Sequence, residues 1–265
     1  MELHLKGKTA IVTGASQGIG RAIAEALHRE GVELMLAATG SESLQAAARS
    51  IRGMDGDSGA PVHTIVADLS LRAEVERMSA EALRLMGHVD ILVNNAARAF
   101  TGDFFRMSEQ ELQAVWEVKA FGYVRAVRAI APHMMERKSG CIINIIGSSA
   151  RVPAEDFIVG SMVNAALVSF TRGISRELAR HNVRIVSVSP GWTMTERQQR
   201  SFEMRAAAQN TPTQEIEQRA ARAIPTRRLV TMDEIASVVL LVASDMVPNL
   251  TGEDLLIDGG ATPAI

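Results

Sequence analysis

Gly14, Gly18 and Gly20 follow directly on the apolar run Ala10-Ile11-Val12 and open a helical pattern near Arg21. A strand, a glycine-rich turn and a helix N-terminus together make a phosphate-binding device, because free backbone N–H groups and the helix dipole both face the anion. In Thr13-Gly14-Ala15-Ser16-Gln17-Gly18-Ile19-Gly20, Gly14 permits the tight turn, Gly18 the approach of a pyrophosphate, and Gly20 close packing of helix on strand. Groups for proton chemistry are scarcer. The chain has one tyrosine, Tyr123, and four lysines, Lys6, Lys8, Lys119 and Lys138. Lys119 and Tyr123 stand four apart, so on a helix they share a face. Lys119 is either a cationic donor toward a ligand or a solvated, salt-bridged side chain; Tyr123 reads as core. Glu155 and Asp156 offer carboxylates for acid–base work or for helix-dipole capping. Cys141 is the lone cysteine, and no ligand cluster for a metal can be built around it.

The elements that must position these groups are short apolar runs alternating with longer helical patterns, the mark of βαβ units and a parallel sheet. Near-continuous apolar strands are predicted at Thr9–Thr13, Glu33–Ala37, Val62–Val66, Val89–Val93, Cys141–Ile146, Val183–Val188 and Leu255–Ile257. Helices are predicted at Gly18–Glu30, Ser41–Arg52, Leu71–Met86, Ser108–Arg137, Gly160–Arg180 and Met232–Ser244. Ser108 and Glu111 form a capping box that starts the fourth helix. Right-handed crossovers then give an α/β fold, a three-layer, doubly wound, Rossmann-type sheet of seven parallel strands in one domain over residues 1–265. Met54–Pro61 reads as a surface loop. A polar, helix-prone insertion at about 193–226, at the C-terminal edge of the sheet, reads as a lid.

Bulk properties narrow the function. A chain of 265 residues with 47% hydrophobic content can bury a large core. Net charge is −2, which gives no ground for a nucleic-acid or membrane partner. The N-terminus lacks a signal-peptide core and no run approaches membrane-spanning length, so a cytoplasmic location is expected. Between Glu196 and Arg228 seven arginines oppose four glutamates, net +3. That excess either steers an anionic ligand or forms intrahelical ion pairs.

Several motifs together resemble the short-chain dehydrogenase/reductase family over about Leu5 to Gly260. The loop Thr13-Gly14-x-x-x-Gly18-Ile19-Gly20 looks like the family's cofactor loop. Asp68 follows the third strand, where the family places a carboxylate facing adenine. Asn94-Asn95-Ala96-Ala97 resembles the family's Asn-Asn-Ala-Gly turn, Pro190-Gly191-x-x-x-Thr195 its nicotinamide-amide segment, and Asp258-Gly259-Gly260 its terminal signature. The resemblance implies NAD or NADP held by Gly14, Ser16, Gln17, Gly18, Ile19, Gly20, Thr39, Asp68, Leu69, Asn94, Ala96, Asn164, Pro190, Gly191, Thr193 and Thr195. Asp68 has a second role open to it, capping the helix near Leu71, and Asn94 a second in stabilising its turn.

By the same resemblance, catalysis needs an asparagine in the fourth helix, a serine after the fifth strand, and a Tyr-x-x-x-Lys pair on the fifth helix. Those places hold Lys119, Gly147, Gly160 and Asn164. No Tyr-x-x-x-Lys can exist after the fifth strand, since Tyr123 and Lys138 both precede it. Lys119 and Ser148 are the expected substitutes, with Ser149 also within reach of the serine place. Gly147 and Gly160 are expected to leave the space beside the nicotinamide wide. The second strand ends Ala37-Ala38-Thr39-Gly40-Ser41, with neither the acid of NAD users nor the arginine of NADP users, which leans slightly to NADP. The expected function is a carbonyl/alcohol oxidoreductase with a rearranged site and a small-molecule substrate, anionic if the lid arginines face it. The alternative is a lyase, isomerase or inactive cofactor-binding protein on the same fold. Resemblance further implies a homo-oligomer, dimer or tetramer, through the fourth and fifth helices.

Overall fold

Strand parity decides how the core is divided. In the first strand, β1 (Thr9–Thr13), Ala10 and Val12 face one layer and Ile11 the other, and all three are fully buried. A computed structural model describes residues 2–54, 58–98 and 100–263. Its other strands are β2 (Glu33–Ala38), β3 (Val62–Val66), β4 (Ile91–Asn94), β5 (Gly140–Ile145), β6 (Val183–Pro190) and β7 (Asp254–Ile257). They form one parallel sheet in the order β3-β2-β1-β4-β5-β6-β7. The order reverses between β1 and β4, and ligands of such sheets lie at that crevice, outside the carboxyl ends of the strands.

Helices cover both faces, as the predicted doubly wound fold requires. One layer packs α1 (Gly18–Arg29), α2 (Ser41–Arg52) and α9 (Met232–Ala243) through residues such as Ile23, Leu44 and Val239. The other packs α3 (Arg72–Met86), α5 (Gly122–Arg137) and α6 (Ile158–Ala179) through Met78, Ile130 and Leu178. The insertion expected as a lid contains α7 (Glu196–Gln209) and α8 (Thr213–Arg222), which share a small core of Phe202, Ala206, Ile216 and Ala220. Its base is closed where Met194 N–H donates to Val230 O and Val230 N–H to Trp192 O.

Two predicted helices change. The fourth helix is interrupted: α4 (Glu109–Val115) runs into a π-helical turn, Trp116–Phe121, before α5 begins. Its start stands, with the Ser108–Glu111 box present in both directions. The fifth helix begins at Ile158, two residues earlier than the pattern indicates. With its leading turn it spans Glu155–Ala179 at mean hydropathy 1.4, long and apolar enough to cross a membrane, against the expectation that no such run exists. Here its Val163, Leu167 and Leu178 are buried against the rest of the chain. Of the Met54–Pro61 loop, residues 55–57 lie outside the described residues.

A row of polar side chains crosses the middle of this sheet. Asn94, Asn144 and Ser187 are register partners on β4, β5 and β6, all with no exposed surface. Asn94 Nδ2 donates to Asn144 Oδ1 (2.9 Å), while Asn144 Nδ2 and Ser187 Oγ both donate to Thr171 Oγ1 on α6 (3.0 and 2.9 Å).

Candidate active site

The glycine loop is built by its neighbours across the sheet. Gly14 adopts φ +65°, and a Cβ on it would lie 2.8 Å from Ala96 Cα, so only glycine lets β1 turn this close to the end of β4. The Thr13 hydroxyl accepts from Asn95 N–H (2.9 Å) and Ala96 N–H (3.2 Å). Asn95 Nδ2 returns the clamp by donating to Thr13 O (3.0 Å) and Gly14 O (3.2 Å). Gly20 is needed for this clamp, since a Cβ there would come within 2.3 Å of the same Asn95 amide nitrogen. The N-cap of α1, Gln17, makes no side-chain capping bond, so the first N–H groups of the helix keep no side-chain partner. A Cβ on Gly18 would meet nothing closer than 3.8 Å. An open glycine shelf before an uncapped helix end fits a pyrophosphate.

This shelf floors a cleft of about 480 Å³. Gly14, Ser16, Gln17, Gly18 and Ile19 line it, joined by Thr39 beyond β2, Asp68 and Leu69 beyond β3, and Ala96 beyond β4. Lys119, Ile145 and Ile146 form its far wall, and Thr195, Glu196 and Arg197 from the lid close over it. Asp68 Oδ1 accepts from Ser70 N–H (2.9 Å) and from the Ser70 hydroxyl (2.7 Å), while the N-cap of α3, Leu71, receives no side-chain cap. The carboxylate thus shapes its own turn rather than capping the helix. Thr195 caps α7 by accepting from Gln198 N–H (3.2 Å).

Other residues expected around a cofactor stand behind the cleft. Asn94 does not reach it: its side chain points into the sheet, where it bonds Asn144. Asn94 is the last residue of β4, and Asn95 is the first of the turn beyond it. Gly20 lies under the Asn95 clamp. Pro190 ends β6, Gly191 is pressed against Asp258 Cβ with 2.7 Å to a built Cβ, and Thr193 donates its hydroxyl to Gly191 O (3.0 Å). These three lie at the start of the 193–226 insertion and are not among the residues that line the cleft.

The far wall holds the chemistry. Lys119 is buried, and its Nζ donates to Ile146 O and to Asn164 Oδ1, both at 2.7 Å. Asn164 Nδ2 in turn donates to Ser149 Oγ (2.9 Å). One turn on, the Tyr123 hydroxyl donates to Ile145 O (2.9 Å), so both residues of the shared face are pinned to consecutive carbonyls at the end of β5. Burial pushes the Tyr123 phenol far above its usual range. Burial, with the like charge of Arg197, lowers the Lys119 amine to about 7. Arg197 is itself lowered by desolvation and by Arg200. Neither Lys119 nor Arg197 has an ion-pair partner among the described residues. The Ser148 hydroxyl makes no hydrogen bond among them; Ser149 is the serine joined to the Lys119–Asn164 pair.

The two glycines do not leave the space wide. A Cβ on Gly147, which adopts φ +145°, would lie 2.9 Å from Asn164 Nδ2. A Cβ on Gly160 would lie 2.0 Å from Phe157 Cζ, so the Phe157 ring occupies that volume. The sequence offers Phe157 only in Phe157-x-x-x-Ser161, the one alternative register for the missing pair, which has neither a phenol nor an amine; that its ring fills the space at Gly160, three residues on, is not signalled there. Asp156 is held by Arg205 of the lid (3.2 Å), whose guanidinium also lies 5.9 Å from the Trp192 ring. Glu155 is exposed beside it. Of the lid arginines, Arg205, Arg219 and Arg228 form ion pairs, and Arg197 lines the cleft.

Known proteins resemble this chain along nearly its whole length. The profile described as enoyl-(acyl carrier protein) reductase matches residues 14–262. The chain is 32% identical to 2,3-dihydro-2,3-dihydroxybenzoate dehydrogenase of Bacillus subtilis, over 97% of both chains. It is 31% identical to a 3-oxoacyl-[acyl-carrier-protein] reductase of Aquifex aeolicus, over 98% of this chain and 99% of that one. Among solved structures, L-sorbose reductase of Gluconobacter frateurii, complexed with NADPH and L-sorbose, superposes over 100% of both chains with a TM-score of 0.95 at 26% identity. With the glycine shelf, the strand order and these matches agreeing from end to end, the chain belongs to the short-chain dehydrogenase/reductase family.

Proposed function

We propose that this chain is an NAD(P)-dependent oxidoreductase of small carbonyl or alcohol substrates, in which Lys119 replaces the family's tyrosine as the proton donor. The observation that carries this reading is the Lys119 amine, buried in the cleft wall on two neutral oxygens. A nicotinamide cofactor supplies or accepts the hydride when bound. For the chain's own part, the glycine shelf and the α1 N-terminus hold the pyrophosphate, and Asp68 faces the adenine end. Thr39 lines the cleft, and the β2–α2 turn carries no carboxylate before Glu42. That turn tolerates a 2′-phosphate and supports NADP, as do the NADPH-bound relatives. Lys119 gives a proton to the substrate oxygen, Asn164 and Ile146 O orient it, and Arg197 draws in an anionic substrate. In this reading the family's four catalytic places hold Lys119, Gly147, Gly160 and Asn164.

The opposing reading, a cofactor-binding protein without redox turnover, rests on the Phe157 ring, which puts a hydrocarbon where a proton donor is expected. One experiment separates them. Trp192, 48% exposed on the lid, reports titration by NADPH and NADH. A carbonyl screen followed by nicotinamide absorbance then compares the wild type with Lys119→Ala. Saturable NADPH binding and turnover that falls ~10²-fold or more in the variant support the proposal. Turnover untouched by Lys119→Ala overturns the lysine's role, and saturable binding with no turnover selects the opposing reading. We further propose a dimer or tetramer through α5 and α6, where Phe121, just before α5, and Met162 on α6 are each 47% exposed; a monomer in sedimentation would refute it.

A further inference from the structure

Of the four lysines only Lys119 is buried. Its surroundings differ from those of a structural lysine, which is held by a carboxylate. From β5 it meets the Ile146 carbonyl, and from α6 the amide oxygen of Asn164, itself tied to Ser149. On its own helix Tyr123 is engaged with Ile145 O, and Glu117 pairs with Arg125 (2.7 Å), facing away. Across the cleft stands Arg197. The other charged groups lining the cleft are Arg98, Asp68 and Glu196. Asp68 is bonded to Ser70, Glu196 stands over Gly18, and neither pairs with Lys119. Lys119 therefore lines a ligand-sized cavity, its amine held by two neutral acceptors, with Arg197 as a like charge on the same cavity.

Such a setting favours the unprotonated amine, which carries a lone pair. Lysines become nucleophiles when desolvated or when placed beside another cation. Here both conditions hold together, and burial reinforced by Arg197 brings the amine to about 7. The π-helical turn delivers the side chain to the cleft: it inserts the extra residue that rolls Lys119 inward while Phe121 is left outside.

We infer that Lys119 is a nucleophilic amine that condenses reversibly with the carbonyl carbon of an aldehyde or ketone bound in the cleft, giving an imine. The nitrogen lone pair forms the new C–N bond, and the carbonyl electron pair moves to oxygen, which takes up a proton. Nitrogen releases a proton, and the carbinolamine expels water to leave C=N. Nothing is oxidised or reduced. Ile146 O and Asn164 Oδ1 accept the N–H hydrogens and so aim the lone pair away from both, toward the cavity. The inference uses the same lysine as the proposed oxidoreductase but no hydride chemistry, so the two stand or fall separately.

The test omits nicotinamide. The full chain is incubated with limiting propanal at pH 5.5 to 10, quenched with borohydride, which reduces any imine to a stable secondary amine, and mapped by peptide mass. The expected result is alkylation of Lys119 with a midpoint near pH 7. At pH 7 it should lead Lys6, Lys8 and Lys138 by tenfold or more, on the order set by an ordinary lysine value of about 10.4. Arg197→Gln should move that midpoint upward by removing the like charge. Absence of alkylation at Lys119 while the surface lysines react, or a midpoint above about pH 9, would overturn the inference. Because the wild-type chain is mapped, no variant has to fold for the result to count. Failure here leaves the NADPH titration unaffected, and failure of that titration leaves imine trapping unaffected.

Discussion

Lys119→Met keeps a long, unbranched side chain and removes the amine, so its effect on stability should depend on pH. In the folded chain burial lowers the amine to about 7; in the unfolded chain it returns to about 10.4. The unfolded state therefore binds the extra proton between these values. Stability of the wild type rises with pH across that window, and the full penalty for charging the buried amine is present below about 7. With one proton linked at about 1.36 kcal/mol per unit, and the curve flattening near the folded value, the wild type gains about 2 kcal/mol between pH 7 and 9. The methionine variant has no such group. It also leaves Ile146 O and Asn164 Oδ1 without their donor, at about 1–3 kcal/mol each, a cost independent of pH. The slope is therefore the test. Urea unfolding of both proteins at pH 6, 7, 8 and 9, followed by circular dichroism, should show the wild type gaining about 2 kcal/mol on the variant from pH 7 to 9. A difference that stays constant over that range would refute the argument that Lys119 is buried without a counter-charge.

Three further substitutions probe the packing around the site. Gly160→Ala should destabilise by about 1–3 kcal/mol, since its Cβ would fall 2.0 Å from the Phe157 ring. Adding Phe157→Ala should recover part of that loss, and additive urea-unfolding energies would show that the ring does not fill the glycine's space. Gly20→Ala pushes a methyl into Asn95 Nδ2 and Gly14 O (2.3 and 2.4 Å). NADPH affinity by Trp192 fluorescence should fall tenfold or more, about 1.4 kcal/mol, and unchanged affinity would mean that the loop does not hold the nucleotide.

The fold was readable because each buried strand is a nearly unbroken apolar run and the punctuation between runs is local. The Ser108–Glu111 box is an example: four residues specify it and it forms as written. The π-helical turn is different. Trp116 to Phe121 continues the helical pattern without glycine or proline, and the extra residue goes with the bonds that Lys119 makes to Ile146 O and Tyr123 to Ile145 O. Those partners lie more than twenty residues away in sequence. Lys119 could be noticed as a type and a spacing, but its burial could not, because a lone lysine on a helix is ordinarily solvated. Asn94 and Asn95 were separated only by the residue at which the strand stopped, a boundary that sequence fixes poorly. The filling of Gly147 and Gly160 by Asn164 and Phe157 came from side-chain direction, about which spacing says little.

The buried row of Asn94, Asn144 and Ser187 has a consequence for which fold the chain adopts, as distinct from how firmly. Of the strands it crosses, Ile91–Asn94 and Gly140–Ile145 are otherwise so apolar that sliding one past the other by two residues would keep every side chain on its own face. Hydrophobic burial barely distinguishes such a slipped sheet from the native one. The polar row does: two places along, the Asn94 amide would face Ile142 in place of Asn144, and buried amides would lose their partners on both strands. The pairing across β4 and β5 is thus written in two amides, which act as an alignment mark between two otherwise greasy strands.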